Sequence, residues 1–216
     1  MVMGFYKKKL PYKTKIGLLK KDQLEIHSDS IFYRDKKIYF NDVIDTRWGW
    51  SDTYTINFMP IGRHLPLGKN FNIFIATDKD NIFIQTKKKS IYTEVTDILL
   101  KTVCWNKMIQ LTQFIQNGGK INLGKLNFTD NSVTLFKHGL LFKKPTPVSV
   151  DWGSVEYSSS EKKLTIKDSA NKNVFIKLDY LHDSNTRVIN LLLSIALKKI
   201  YTGNLSDFLQ SEITIV

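Results

Sequence analysis

Apolar and polar residues alternate with a period of two along most of the chain. The alternation is rich in β-branched and aromatic side chains and predicts strands at about 15–19, 23–28, 30–34, 37–40, 43–50, 53–59, 71–77 and 81–86. Ser28-Asp29-Ser30 and Thr77-Asp78-Lys79-Asp80-Asn81 supply the Asp, Asn and Ser that tight antiparallel connections favour, because these side chains bond nearby backbone. Residues 60–70 hold two prolines and two glycines, which predicts a long loop in place of a ladder. Thr93 and Glu94 then offer an N-cap and a first-turn acid for a helix running to about Gln116, stopped by Asn117-Gly118-Gly119. That helix carries two apolar stripes side by side. One holds Val95, Ile98, Leu99, Thr102, Trp105 and Ile109, the other Leu100, Cys104, Met108, Leu111 and Ile115, an arc wide enough to touch two bodies. The pattern then starts again, with strands near 121–128, 132–136, 139–143, 147–157, 162–167 and 173–179. A second helix follows from about Asn185 to Ile200, capped by Asp183 or Ser184, with a short third one in reach between Asn204 and Ser211.

The recurrence extends to the residues themselves. Leu24-Glu25-Ile26-His27-Ser28-Asp29-Ser30-Ile31 returns 102 positions later as Leu126-Asn127-Phe128-Thr129-Asp130-Asn131-Ser132-Val133. Asn81-Ile82-Phe83-Ile84-Gln85 returns as Asn173-Val174-Phe175-Ile176-Lys177. Each copy ends in a helix. Several antiparallel strands closed by one C-terminal helix, twice over, with Tyr39-Phe40-Asn41-Asp42-Val43-Ile44 matched to Val148-Ser149-Val150-Asp151-Trp152, resemble tandem bacterial pleckstrin-homology-like (PH-like) domains. The resemblance covers residues 15–200. It implies an α+β, mainly β chain of two PH-like lobes, each a bent sheet or partial barrel plugged by its helix, and a binding or scaffolding role in place of catalysis. The second copy reads as a strand short, and neither copy has the clustered Lys-x-Arg pattern of phosphoinositide-binding members. The expected organisation is a basic arm (1–14), a first lobe (15–117), a second lobe (118–200) and a C-terminal tail (201–216).

Composition bounds the reading. At 216 residues with 42% hydrophobic and 12% aromatic content the chain can bury a core and is not of the disordered class. A single cysteine, Cys104, cannot close an internal disulfide, so the cytoplasm is the expected compartment. The longest near-apolar run, 188–197, is about half a membrane span. The net charge of +12 is concentrated: residues 1–21 carry seven lysines and no acid, while the rest is close to balanced.

Two constellations are candidates for function. Lys7, Lys8, Lys9, Lys13, Lys15, Lys20 and Lys21, interleaved with Phe5, Tyr6 and Tyr12, read either as a solvated terminus or as a surface for anionic lipid or nucleic acid. Trp48-Gly49-Trp50, followed by the loop with Arg63 and His64, is the densest aromatic and polar group. Trp48 reads as a core residue with Trp152 as its counterpart, whereas Trp50, Arg63 and His64 either pack or bind a protein partner, added along a sheet edge or set in the loop 60–70 groove. Oligomeric state stays open, since the tail residues Leu205, Phe208, Leu209, Ile213, Ile215 and Val216 suit cover of the second lobe or of a second chain. No cofactor is implied, and His27, His64, His138 and His182 lack metal-ligand spacing. Cys104 reads as a buried thiol and Asp42, Asp45 and Asp151 as turn or capping groups. The chain therefore reads as non-enzymatic.

Overall fold

The computed structural model describes residues 10–17, 22–55, 65–139 and 144–197. The chain is α+β and mainly β. In the first half, β1 (Tyr12–Ile16), β2 (Asp22–Ile26), β3 (Ser30–Tyr33) and β4 (Lys36–Tyr39) form an antiparallel four-stranded sheet in sequence order. A 3-10 turn, Phe40–Asp42, leads to a three-stranded sheet of β5 (Asp45–Thr55), β6 (Leu65–Ala76) and β7 (Asn81–Thr86). A helix follows as α1 (Lys89–Leu99), a π-helical segment (Leu100–Cys104) and α2 (Trp105–Gln116). The second half holds β8 (Ile121–Leu123), β9 (Leu126–Phe128), β10 (Ser132–Lys137), β11 (Thr146–Asp151), the 3-10 turn Trp152–Ser154, β12 (Val155–Ser159), β13 (Lys163–Asp168), β14 (Val174–Asp179) and α3 (Thr186–Ala196). Its strands make one sheet in the order β12-β13-β14-β10-β9-β8, with β11 on the other side of β10.

Several sequence expectations change. The loop expected over residues 60–70 is strand from Leu65 onward, because a register shift at Thr53/Tyr54 and a positive φ of 122° at Gly68 absorb the irregular residues into a bulged ladder. This part of β6 lies beyond the ladder with β7 and, among the described residues, pairs only with β5, where proline is tolerated. The strand expected at 43–50 and the described part of the one expected at 53–59 are one strand, β5, as far as Thr55, and residues 56–59 lie outside the described residues. The helix begins at Lys89, ahead of the Thr93 cap, and Lys88 precedes it without a side-chain capping bond. The second copy is not a strand short: 121–128 divides at a tight turn and 147–157 at a 3-10 turn, so each half has seven described strands. Gly124 makes the first division possible, since its φ is 58° and an added Cβ would stand 2.7 Å from the Ser184 carbonyl oxygen. The expected strand at 139–143 falls almost wholly outside the described residues.

The repeated phrases occupy matching places. Leu24, Ile26 and Ile31 and their counterparts Leu126, Phe128 and Val133 are all fully buried. The turn between them closes with His27 N–H to Ser30 O at 2.8 Å in one copy and Thr129 N–H to Ser132 O at 2.9 Å in the other. Phe40 then donates its amide to Asp29 O, as Trp152 does to Asn131 O. The counterpart of Trp152 is thus Phe40, not Trp48: each opens a 3-10 turn, and Val43 and Val155 close them. Trp48 is a core residue all the same, 3% exposed on β5.

The two apolar stripes of the long helix are used in succession. Val95, Ile98 and Leu99 are buried before the π segment, and Val103, Cys104, Met108 and Ile115 within and after it. One extra residue in a helical turn rotates the following face by about 100°, so the buried side passes from the first stripe to the second. The stop is as expected: Gly118 takes a φ of 76°, and Gly118 and Gly119 donate their amides to Ile115 O and Phe114 O.

Candidate functional site

Side chains of α2 and of the start of α3 seal one edge of β5. An edge strand presents backbone groups at alternate positions, and here the carbonyls of Ile44, Thr46 and Trp48 each meet a donor from the helices. Lys107 Nζ and Asn185 Nδ2 donate to Ile44 O, the latter at 2.9 Å. Asn185 N–H donates to Thr46 O at 3.2 Å, and Arg187 to Trp48 O at 3.3 Å. Asn185 holds a left-handed φ of 56°, which Asn tolerates better than most residues, and its Oδ1 accepts from Lys107 at 3.2 Å. The Arg187 guanidinium lies 3.5 Å from the Tyr180 ring centre. Burial pulls Lys107 and Arg187 below their ordinary values and pushes Tyr92 and Tyr180 above theirs. It pushes the Cys104 thiol up to about 12, outweighing Thr46, Lys107 and Arg187, which favour the thiolate.

The seal ends at Trp50. Along β5 and β6 the paired positions run from Trp48↔Ile73 through Trp50↔Phe71 to Asp52↔Lys69, passing from buried, to half-buried, to charged. A cleft of about 230 Å³ opens there between residues 49–52 of β5 and residues 179–182 at the end of β14. Gly49 lets the walls approach, since a Cβ on it would stand 3.2 Å from Leu181 Cβ. The Trp50 ring has Lys69 Nζ at 3.4 Å and Lys162 Nζ at 4.0 Å from its centre. Lys162 also pairs with Asp52 at 3.1 Å. Both ammonium groups are nearly half exposed, and at such sites a cation–π contact contributes on the order of 0.5–1 kcal/mol. With His182 exposed at the rim, the cleft offers an aromatic plate, two ammonium groups and two carboxylates, Asp52 and Asp179. This is equipment for holding an extended or charged segment.

Of the residues singled out from sequence, Trp50 is placed in this cleft, while Arg63 and His64 lie outside the described residues. Lys7, Lys8, Lys9, Lys20 and Lys21 also lie outside them. Lys13 and Lys15 project outward from β1, Lys13 pairing with Glu25 at 3.0 Å. The same side of the four-stranded sheet carries Phe32, Lys37 and Tyr39, the last 47% exposed with Lys37 Nζ 4.5 Å from its ring centre. Asp45 pairs with Arg47 at 2.9 Å, Asp42 ends the 3-10 turn before β5, and Asp151 ends β11. Cys104 is fully buried. Among the described residues, no three His, Cys, Asp or Glu side chains are grouped to hold a metal ion, and no helix is long and apolar enough to cross a membrane. Lys69, Lys162, Tyr180, His182 and Arg187 were missed as site residues. They come from three separate stretches of chain, and only Arg187, a lone cation in an otherwise apolar helix, carried a local signal.

A scan against protein-family models, a search of curated proteins and a search of solved structures each found no match to this chain.

Proposed function

We propose that the chain is a cytoplasmic, non-enzymatic binding or scaffold module of two PH-like lobes, 15–117 and 118–200, that recognises a protein partner through the first lobe. The observation that carries this reading is Trp50: a large aromatic side chain left half-buried where the sealed edge of β5 gives way to an open cleft. Large aromatics in such positions, flanked by charged groups, are the anchors on which partner segments dock. The seven strands and closing helix in each half support the PH-like architecture. Recovery of partners from native lysate by wild type and by the triple variant Trp50→Ala, Arg63→Ala, His64→Ala tests it. The expected result is loss of a partner at low and high salt alike. Retention of every partner by the triple variant removes the site.

A second reading has its own observation, the lysines and exposed aromatics on the outer side of β1–β4. On this reading the arm and Lys13 and Lys15 meet an anionic membrane or nucleic acid. Binding to anionic vesicles or to DNA would then fall steeply with salt and disappear when Lys7, Lys8, Lys9, Lys13, Lys15, Lys20 and Lys21 all become Gln. Salt-insensitive binding excludes it.

A further inference from the structure

The halves differ in what lies along the last strand before the helix. In the second half β10 continues past the core and pairs with β14, Phe136↔Phe175 and Lys137↔Val174. His138 then donates its amide to Asn173 O at 2.8 Å and stacks on Phe175 at 4.1 Å. By the repeat, Arg34 and Asp35 stand where Phe136 and Lys137 do, and Phe83 stands where Phe175 does. Yet Arg34, with a φ of 57°, turns the chain back into β4, and among the described residues no strand follows β7 in the ladder. What remains is a groove of about 800 Å³ lined by Gly17, Asp22, Arg34, Asp35, Phe83 and Gln85 among others. Phe83 is 51% exposed. The Asn81 carbonyl, equivalent to that of Asn173, faces this edge and accepts from Lys36 Nζ at 3.0 Å. The residues β7 turns outward, Asn81, Phe83 and Gln85, include no charge or proline, the usual guards of an open edge.

We propose that this groove takes an extended segment of a partner protein, antiparallel to β7, with an aromatic residue opposite Phe83 and a basic residue next to it. The chemistry is that of Phe136-Lys137-His138, which fill the matching position in the second half. Charge complements it: Arg34 is held by Asp22 at 2.9 Å, whereas Asp35 is exposed and has no ion pair among the described residues. The inference rests on the reading of the chain as a protein-recognition module, but it uses the opposite edge of the three-stranded sheet from Trp50.

The probe is a capped peptide of residues 132–138, Ser-Val-Thr-Leu-Phe-Lys-His, titrated into the full chain while amide exchange is followed by NMR. Saturable binding is expected, with exchange at Phe83 and Gln85 slowed by about tenfold or more. Phe83→Lys, and separately N-methylation of the peptide at its Phe, should each weaken binding by about tenfold or more. The methylated peptide gives the same answer without altering the protein's fold. Trp50→Ala should bind the peptide as wild type does, so failure here and failure of the Trp50 site are read separately. Absence of saturable binding, protection at β14 in place of β7, or equal binding by the methylated peptide overturns the proposal. So does a concentration-dependent dimer in sedimentation that Phe83→Lys abolishes, which would assign the edge to a second copy.

Discussion

The two halves share a scaffold and exchange their long hairpins. Between Ile31 and Val133 the offset is 102 residues, between Phe40 and Trp152 it is 112, and between Ile82 and Val174 it is 92. The second half is therefore longer between its third and fourth strands, and shorter between its fifth and sixth. The first half invests in the β5–β6 hairpin, of 11 and 12 strand residues, and carries Trp50 out of the core on it. Its counterpart, β12–β13, has strands of 5 and 6. What the second half gains instead is the extension of β10 that closes its sheet. Inward-facing positions are kept, since a change there leaves a void or a clash. Hairpin length is free to vary because lengthening a loop costs little.

Truncating the shared core should break the comparison most strongly. Leu24→Ala and Leu126→Ala each remove a fully buried side chain at matching positions, and each is expected to cost about 3 kcal/mol in chemical denaturation. A large cost at one site and little at the other would show that the repeat does not mark equivalent cores. The seam comes next. Asn185→Ala removes the bond to Ile44 O and the acceptor for Lys107 and strains a left-handed φ, so a loss of about 2 kcal/mol is expected. Asn185→Gly, which restores the backbone freedom only, should recover part of it.

A smaller effect is expected in alkali. The Cys104 thiol is pushed from 9.0 to about 12 in the folded chain, so above pH 9 the unfolded chain gives up a proton that the folded chain keeps. Stability then falls with rising pH, by about 1 kcal/mol between pH 9 and 10, and Cys104→Ala should flatten that part of the profile. Tyr92 and Tyr180, also raised, add a similar fall above pH 10, which the variant should retain. The smallest effect belongs to the clasp of Lys36 on Asp80 at 2.6 Å. This pair and the Asn81 amide hold Asp80 below its usual carboxylate value of 3.8, so its contribution is present above that pH and disappears as pH falls through the folded value. Lys36→Gln should barely move the denaturation midpoint yet speed exchange at Asn81. Unchanged exchange would show that the clasp does not steady the open edge of β7.

Much of the architecture was legible because local periodicity follows burial directly. Leu24, Ile26 and Ile31 alternate inward, and Asn117-Gly118-Gly119 ends its helix as such residues do. The failures share a different cause. Pro66 and Gly68 looked like breakers, but a bulge beside a strand paired on one side absorbs them. Residue type pairs Trp48 with Trp152, whereas the backbone bonds identify Phe40. The site was half visible: Trp50 stood out by composition, but Lys162, Tyr180 and His182 reach it only through tertiary contact, across about 110–130 positions of chain.

The seal along β5 has a consequence for anyone who would dissect the molecule. Cutting the chain in the connection between Gln116 and Ile121 would strip the Ile44, Thr46 and Trp48 carbonyls of the donors that Asn185 and Arg187 supply, leaving only Lys107 on the first fragment. Such fragments would be drawn back together by complementary, unsatisfied surfaces. A nicked chain should reassemble as a split protein, with reassociation as its readout.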